Sequence, residues 1–236
     1  KHKDLQAEFT YAVDKTPEQI EDEKLQIKSD FKPFFNFNEE ALITSTDKFN
    51  ENIKESLLSI TEQDEGLNYY KNEGQVIISD ILERGLIWLP KDLTLPENDA
   101  IRVIENQRAE NRLISEFYSY SNITSIINSF VEEDSLLNRE FFKKSLRLSI
   151  KPNIEYDKDL SETKLQEQIN SISPSMGLVQ EGEKIISKGN IVDEEKYRKL
   201  ASLKKEYESN LSAEGQIVLI LGYSFIVLLI LGIFAY

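Results

Sequence analysis

The chain has 236 residues, with 42 acidic against 28 basic side chains and a net charge of −14. That balance argues against nucleic acid and against broad docking on anionic lipid, since both draw their affinity from Lys and Arg. The absence of Cys excludes disulfides and thiolate metal sites, while 40% hydrophobic residues, with 12 Phe and 10 Tyr, suffice for a packed core.

Glu8 to Val13 (EFTYAV) predicts a short strand of aromatic and β-branched residues. Thr16-Pro17-Glu18-Gln19 predicts a helix start: Thr16 caps, Pro17 suits the first turn and Gln19 reaches back to the cap. That helix should stop before Lys32-Pro33. Asn38 opens a second helix whose buried stripe is read as Leu42, Thr46, Phe49, Ile53, Leu57 and Ile60. Glu73 to Arg84 predicts another helix, closed by Gly85 in the left-handed C′ position, and Gly85 to Pro90 a strand holding the single Trp88.

Ala100 to Tyr118 predicts two strands joined by a polar turn. Ile123 to Val131 and Arg139 to Leu148 predict a helical pair, and Pro152 to Asp157 an extended piece. Asp159 to Glu162 repeats the capping-box spacing, and Leu165, Ile169 and Ile172 then line one helical face. Between Met176 and Val192 two related units follow, each with a glycine (Gly182, Gly189) ahead of β-branched residues, predicting tight turns in a compact β unit near 174–192. Asp193 caps a final helix, 193–211, with apolar Tyr197, Leu200, Leu203, Tyr207 and Leu211. The mixture predicts an α+β fold over 1–211.

Residues 215–236 contain no charge. At ~1.5 Å per residue this run makes ~33 Å of helix, long enough to span a bilayer, so a transmembrane helix is expected there. Only Ser212, Ala213 and Glu214 separate it from the preceding helix, which predicts a nearly continuous rod from domain to membrane. Arg198, Lys199, Lys204 and Lys205 upstream lean mildly toward a cytosolic placement of the domain. Lys1 and Tyr236 read as boundaries within a longer chain.

Reactive chemistry is sparse. The one histidine, His2, gives no basis for a zinc centre or a Ser-His or Cys-His nucleophile. The glycines of Glu181 to Gly189 sit in strand turns rather than at a strand-to-helix phosphate loop. Paired carboxylates are too common among 42 acids to signal hydrolysis, and Glu155, Asp157 and Asp159 lack a full Ca²⁺ loop. No cofactor, metal ligand or catalytic residue is assigned. Trp88, Tyr69 and Tyr70 are the candidate pocket-lining aromatics, with core packing as their default role.

Three stretches carry a resemblance: Lys3 to Lys24 (KDLQAEFTYAVDKTPEQIEDEK), Pro152 to Asp157 (PNIEYD) and Val179 to Leu203 (VQEGEKIISKGNIVDEEKYRKLASL). They make the chain similar to the extracytoplasmic domain of bacterial seven-transmembrane HD phosphohydrolases, the class that includes membrane cyclic di-AMP phosphodiesterases. Ile186 stands where that pattern usually has Val, and Asn190 where it has an acid. The resemblance implies an anchor helix before Lys1, a domain outside the cytoplasm, and catalytic residues in a distant cytosolic domain, none of which map here. It implies a bacterial cytoplasmic-membrane protein and overrides the charge count on orientation. The expected role is a non-catalytic sensor of an envelope ligand or protein, held in the membrane by 215–236; an interaction or homo-oligomerisation scaffold is the alternative.

Overall fold

The computed structural model describes residues 4–57, 64–131, 139–210 and 223–224, with the side chains of 55–57 and 64–66 left aside. The fold is mixed α+β, divided into two compact units. One, here unit 2, is the continuous stretch 30–167; the other, unit 1, combines residues from 1–29 with residues from 168–236.

Unit 2 is built on a six-stranded mixed sheet. In chain order its strands are β3 (Phe34–Phe37), β4 (Leu86–Trp88), β5 (Ala100–Glu105), β6 (Arg108–Leu113), β7 (Tyr118–Ser119) and β8 (Ile154–Tyr156), and their spatial order is β6-β5-β3-β8-β4-β7. β3 runs parallel to β5 and antiparallel to β8; β4 runs parallel to both β8 and β7. The predicted β5–β6 hairpin forms, turning at Asn106 and Gln107, both with positive φ (48° and 63°), as a tight primed turn requires.

Besides the start of a later helix described below, its α-helices among the described residues are α2 (Ala41–Leu57), α3 (Asp64–Arg84), α4 (Ile123–Phe130) and α5 (Arg139–Ser149). Their apolar faces make one cluster around Phe49, Ile53, Ile78, Ile81, Ile127, Phe142 and Leu146. A second cluster holds Phe35, Ile87, Ile101, Val103 and Ile154, with Leu89, Leu93 and Leu95 packed against it. β4 serves both: Leu86 joins the helical cluster and its neighbour Ile87 the other, because successive strand residues point to opposite faces. Gly74 of α3 allows α2 to come close, since a Cβ there would lie 1.9 Å from Phe49 Cε1.

Asn153 is the polar pin of this unit. It is 2% exposed; its side chain donates to the Leu82 carbonyl at 2.8 Å and accepts from the Leu86 N–H at 2.7 Å. Its own N–H donates to the Leu86 carbonyl at 3.1 Å, and its carbonyl accepts from the Asn38 N–H at 2.8 Å. One side chain thereby ties the end of α3 to β4, and its backbone adds the start of α2. Gly85, at φ 94°, makes the expected helix-ending turn beside it.

Unit 1 contains α1 (Pro17–Asp30) as far as Ser29, four short strands, and a last helix, α7, over residues 194–210. β1 (Leu5–Gln6) pairs antiparallel with β10 (Lys184–Ile186), and β2 (Tyr11–Asp14) with β9 (Ser175–Val179). The expected capping box of α1 is complete: the Thr16 N–H donates to Gln19 Oε1 at 3.0 Å and the Gln19 N–H to Thr16 Oγ1 at 3.1 Å. Helix α6 (Lys158–Asn170) runs from one unit's residues into the other's.

Several expectations change. Of the strand expected over Glu8 to Val13 only Tyr11–Val13 is extended, as part of β2, and a separate strand, β1, precedes it at Leu5–Gln6. The chain bends between them at Ala7, whose N–H donates to the Glu183 carbonyl and whose carbonyl accepts from the Gly182 N–H, as it moves from one partner strand to the other. The buried stripe of α2 is Ala41, Ser45, Phe49 and Ile53, so Leu42 lies outside it; Ile60 lies outside the described residues. α6 is capped by Asp157, which accepts from the Leu160 N–H at 3.0 Å, rather than by Asp159. β3 was not expected at all. Gly189 makes its turn (φ 88°), but Ile191 and Val192 form no strand after it and Ile191 is 86% exposed. Among the described residues no helix is long and apolar enough to cross a membrane. The expected span at 215–236 lies outside them, except for helical Tyr223 and Ser224.

Candidate functional site

The Gly182 turn (φ 81°) joins β9 to β10 and places Glu183 beside α7. Asp193 caps α7 as expected, accepting from the Lys196 N–H at 2.9 Å. Leu200 and Leu203 then pack on the small cluster of Ala7, Tyr11, Val13, Val179 and Ile185. Tyr197, expected on the same face, is exposed instead, and Leu211 lies outside the described residues.

Polar contacts lock the β strands to this helix along three of its turns. The Tyr11 hydroxyl donates to the Lys199 carbonyl at 2.9 Å, and the Asp14 N–H donates to Ser202 Oγ at 3.0 Å. Lys199 Nζ pairs with Glu183 at 3.3 Å and with Glu195 at 3.2 Å, while Lys205 pairs with Asp14. The Gln180 N–H and then the Lys199 ammonium hold the Glu183 carboxyl below its ordinary value. Glu195 and Glu183 in turn raise Lys199, and Asp14 raises Lys205. Burial above all raises the Tyr11 phenol. The contacts from Tyr11 and Asp14 span most of the sequence, with Tyr11 and Lys199 188 positions apart.

A groove of about 400 Å³ opens along this seam, its apolar wall made by Leu5, Phe9, Leu200, Leu203 and Tyr207. Phe9 and Tyr207 stack at 6.5 Å across it. Unit 2 carries two further concavities. One, of about 400 Å³, lies on the β5–β6 hairpin, where Arg108 and Arg112 alternate with Glu105 and Glu110. The other, of about 600 Å³, lies between α4 and α5.

The aromatics singled out from sequence are scattered. Tyr70 is 7% exposed and packs against Phe142 at 5.7 Å in the helical core. Tyr69, 45% exposed, meets it edge-to-face. Trp88, at the end of β4, is half exposed. None of the three lines the concavities just described. The groove residues Leu5, Phe9 and Tyr207 were missed because the groove exists only once the two ends of the chain meet. Among the described residues no group of three His, Asp or Glu side chains is placed to hold a metal ion.

A family model described as 7TM-HD extracellular matches residues 2–205, nearly all of the chain outside its apolar end. No curated protein and no solved structure shows significant similarity to it.

Proposed function

Because the chain belongs to the family of 7TM-HD extracellular domains, we propose that it is the sensor and regulatory part of a membrane-bound HD phosphohydrolase acting on a cyclic dinucleotide such as cyclic di-AMP. An envelope ligand or protein biases the domain between two conformations, and α7 carries that bias into the apolar run at 215–236. A ligand shifts such an equilibrium only through unequal affinity for the two states. The domain contributes no catalytic residue; hydrolysis belongs to a cytosolic HD domain elsewhere in the protein.

The observation that carries this reading is the seam. Strands formed from both ends of the chain grip α7 through Tyr11, Asp14 and Glu183, so any rearrangement of the β unit moves that helix. The test is a flexible Gly-Ser insertion between Leu211 and Gly215 of the full-length membrane protein. Cyclic di-AMP hydrolysis should persist while its response to envelope conditions is lost. A response that survives the insertion refutes transmission through α7.

A scaffold reading has one observation in its favour. Leu178, Ile191 and Tyr197 of unit 1 are 68%, 86% and 65% exposed, more apolar surface than a domain of this charge needs to show. Replacing all three by Ser separates the readings: a scaffold loses partner capture or self-association with hydrolysis unaffected, whereas a sensor keeps its response.

A further inference from the structure

The concavity between α4 and α5 is lined mainly by cations, in a chain of net charge −14. Lys143, Lys144 and Arg147 of α5 line it, with Thr124 and Asn128 of α4 opposite and Ile127 and Phe141 as apolar surface. Among the described residues Glu140 is the single acid on its wall. Positions 143 and 147, and likewise 144 and 147, are neighbours on a helix surface, so the three cations form a triangle within one turn. Among the described residues none of them has a carboxylate within ion-pair distance, although the chain has 42 acids. The hairpin concavity mixes both signs, and Lys204 at the groove of unit 1 already pairs with Glu208.

Ordinary helix electrostatics account for part of this arrangement only. A cation in the last turn complements the helix dipole, which covers Arg147. Lys143 and Lys144 lie earlier, and Arg139 one turn before Lys143 adds a fourth positive charge, whose Nε is buried without a hydrogen-bond partner among the described residues. Like charges at these spacings repel, so α5 bears an unfavourable arrangement that an anion would relieve. The volume, about 600 Å³, is that of a site for a small molecule rather than a single ion. The side chains of Thr124 and Asn128 add neutral hydrogen-bond donors to the wall.

We propose that this face of unit 2 is a binding site for a small solute bearing two or more clustered negative charges, a diphosphate or polycarboxylate, held by Lys143, Lys144 and Arg147. Binding here is independent of any relay through α7. The test is isothermal titration of the full chain in a non-ionic detergent with inorganic pyrophosphate as the probe. One saturable site should appear, with inorganic phosphate binding more weakly. Lys144→Gln with Arg147→Gln, both on the exposed face, should weaken pyrophosphate at least tenfold with the circular dichroism unchanged. Lys158→Gln with Lys164→Gln, an equal charge change on α6, should alter it less than threefold. Glu140→Gln, which removes the opposing charge, should tighten it. Absence of saturable binding at millimolar pyrophosphate overturns the proposal. So does equal weakening by the α5 and α6 pairs, or an α5 pair that binds as the parent does.

Discussion

Unit 2 buries layers of large side chains, Phe49, Phe142, Ile78 and Leu146 among them, while unit 1 closes around Ala7, Tyr11, Val13, Val179 and Ile185 and relies on a polar seam. Apolar burial is non-directional and tolerant of salt and pH, whereas charge-assisted contacts near the surface answer to both. One chain thus contains a unit suited to holding its shape and another suited to changing it. Low local stability is what regions that move in regulation have in common.

The sharpest way to break this contrast is to damage each unit and compare the cost. Phe49→Ala removes a fully buried ring and should cost about 3–5 kcal/mol of unfolding free energy, read by denaturant melts. Asn153→Ala should cost about 2–4 kcal/mol, because two hydrogen bonds go and the Leu86 N–H is left buried without its partner. In unit 1, Tyr11→Phe removes one hydrogen bond and should cost about 1 kcal/mol, with amide exchange accelerated on α7 and not on α3. A Tyr11 variant as costly as Phe49→Ala would show that the seam is not the weaker structure.

Acid gives a smaller and more selective effect. Asp4, Glu183 and Asp193 are all held below their ordinary values: Asp4 first by the Lys188 N–H, Glu183 first by the Gln180 N–H and Asp193 first by the Lys196 ammonium. A carboxylate with a lowered folded-state pKa contributes in full above its unfolded value and loses that contribution as pH falls through the folded one. Amide protection factors in unit 1 should therefore fall as pH drops below about 4, before those of the helical core of unit 2. Lys199 and Lys205, both raised, act at the other end and weaken the seam only as pH climbs above 10.5. The smallest effect is that of salt, which screens exposed pairs such as Lys184–Asp4 and should loosen unit 1 slightly.

What the sequence made legible follows from distance along the chain. The caps at Thr16–Gln19 and Asp193 and the glycine stop at Gly85 each rest on residues within four positions and form as read, and the polar turn expected between two strands falls at Asn106–Gln107. The resemblance reached further, because Pro152 to Asp157 contains Asn153 and Asp157, whose buried pinning and helix capping explain why such a motif is specific. Pairing of β1 with β10 and of β2 with β9 was hidden, since no local signal names a partner so far away. β3 was missed because Phe34–Phe37 is a short apolar run between two helices, with no alternation to mark it. Of the candidate site, the Gly182 and Gly189 turns were visible, whereas the groove and the α4–α5 concavity need side chains from separate helices or strands.

The discontinuity of unit 1 imposes an order on biosynthesis. Thr10 must wait for Glu181, 171 positions later, before its hydroxyl can accept that residue's N–H. At ribosomal rates of ~5–20 residues per second that delay is roughly ten to thirty seconds, during which all of 30–167 emerges and can condense. The leading strands, only two and four residues long, offer little adhesive edge to a neighbouring nascent chain in the meantime. Folding of unit 1 thus waits on synthesis of both of its segments, with Thr10 and the strands beside it captured only once the 175–186 strands have emerged.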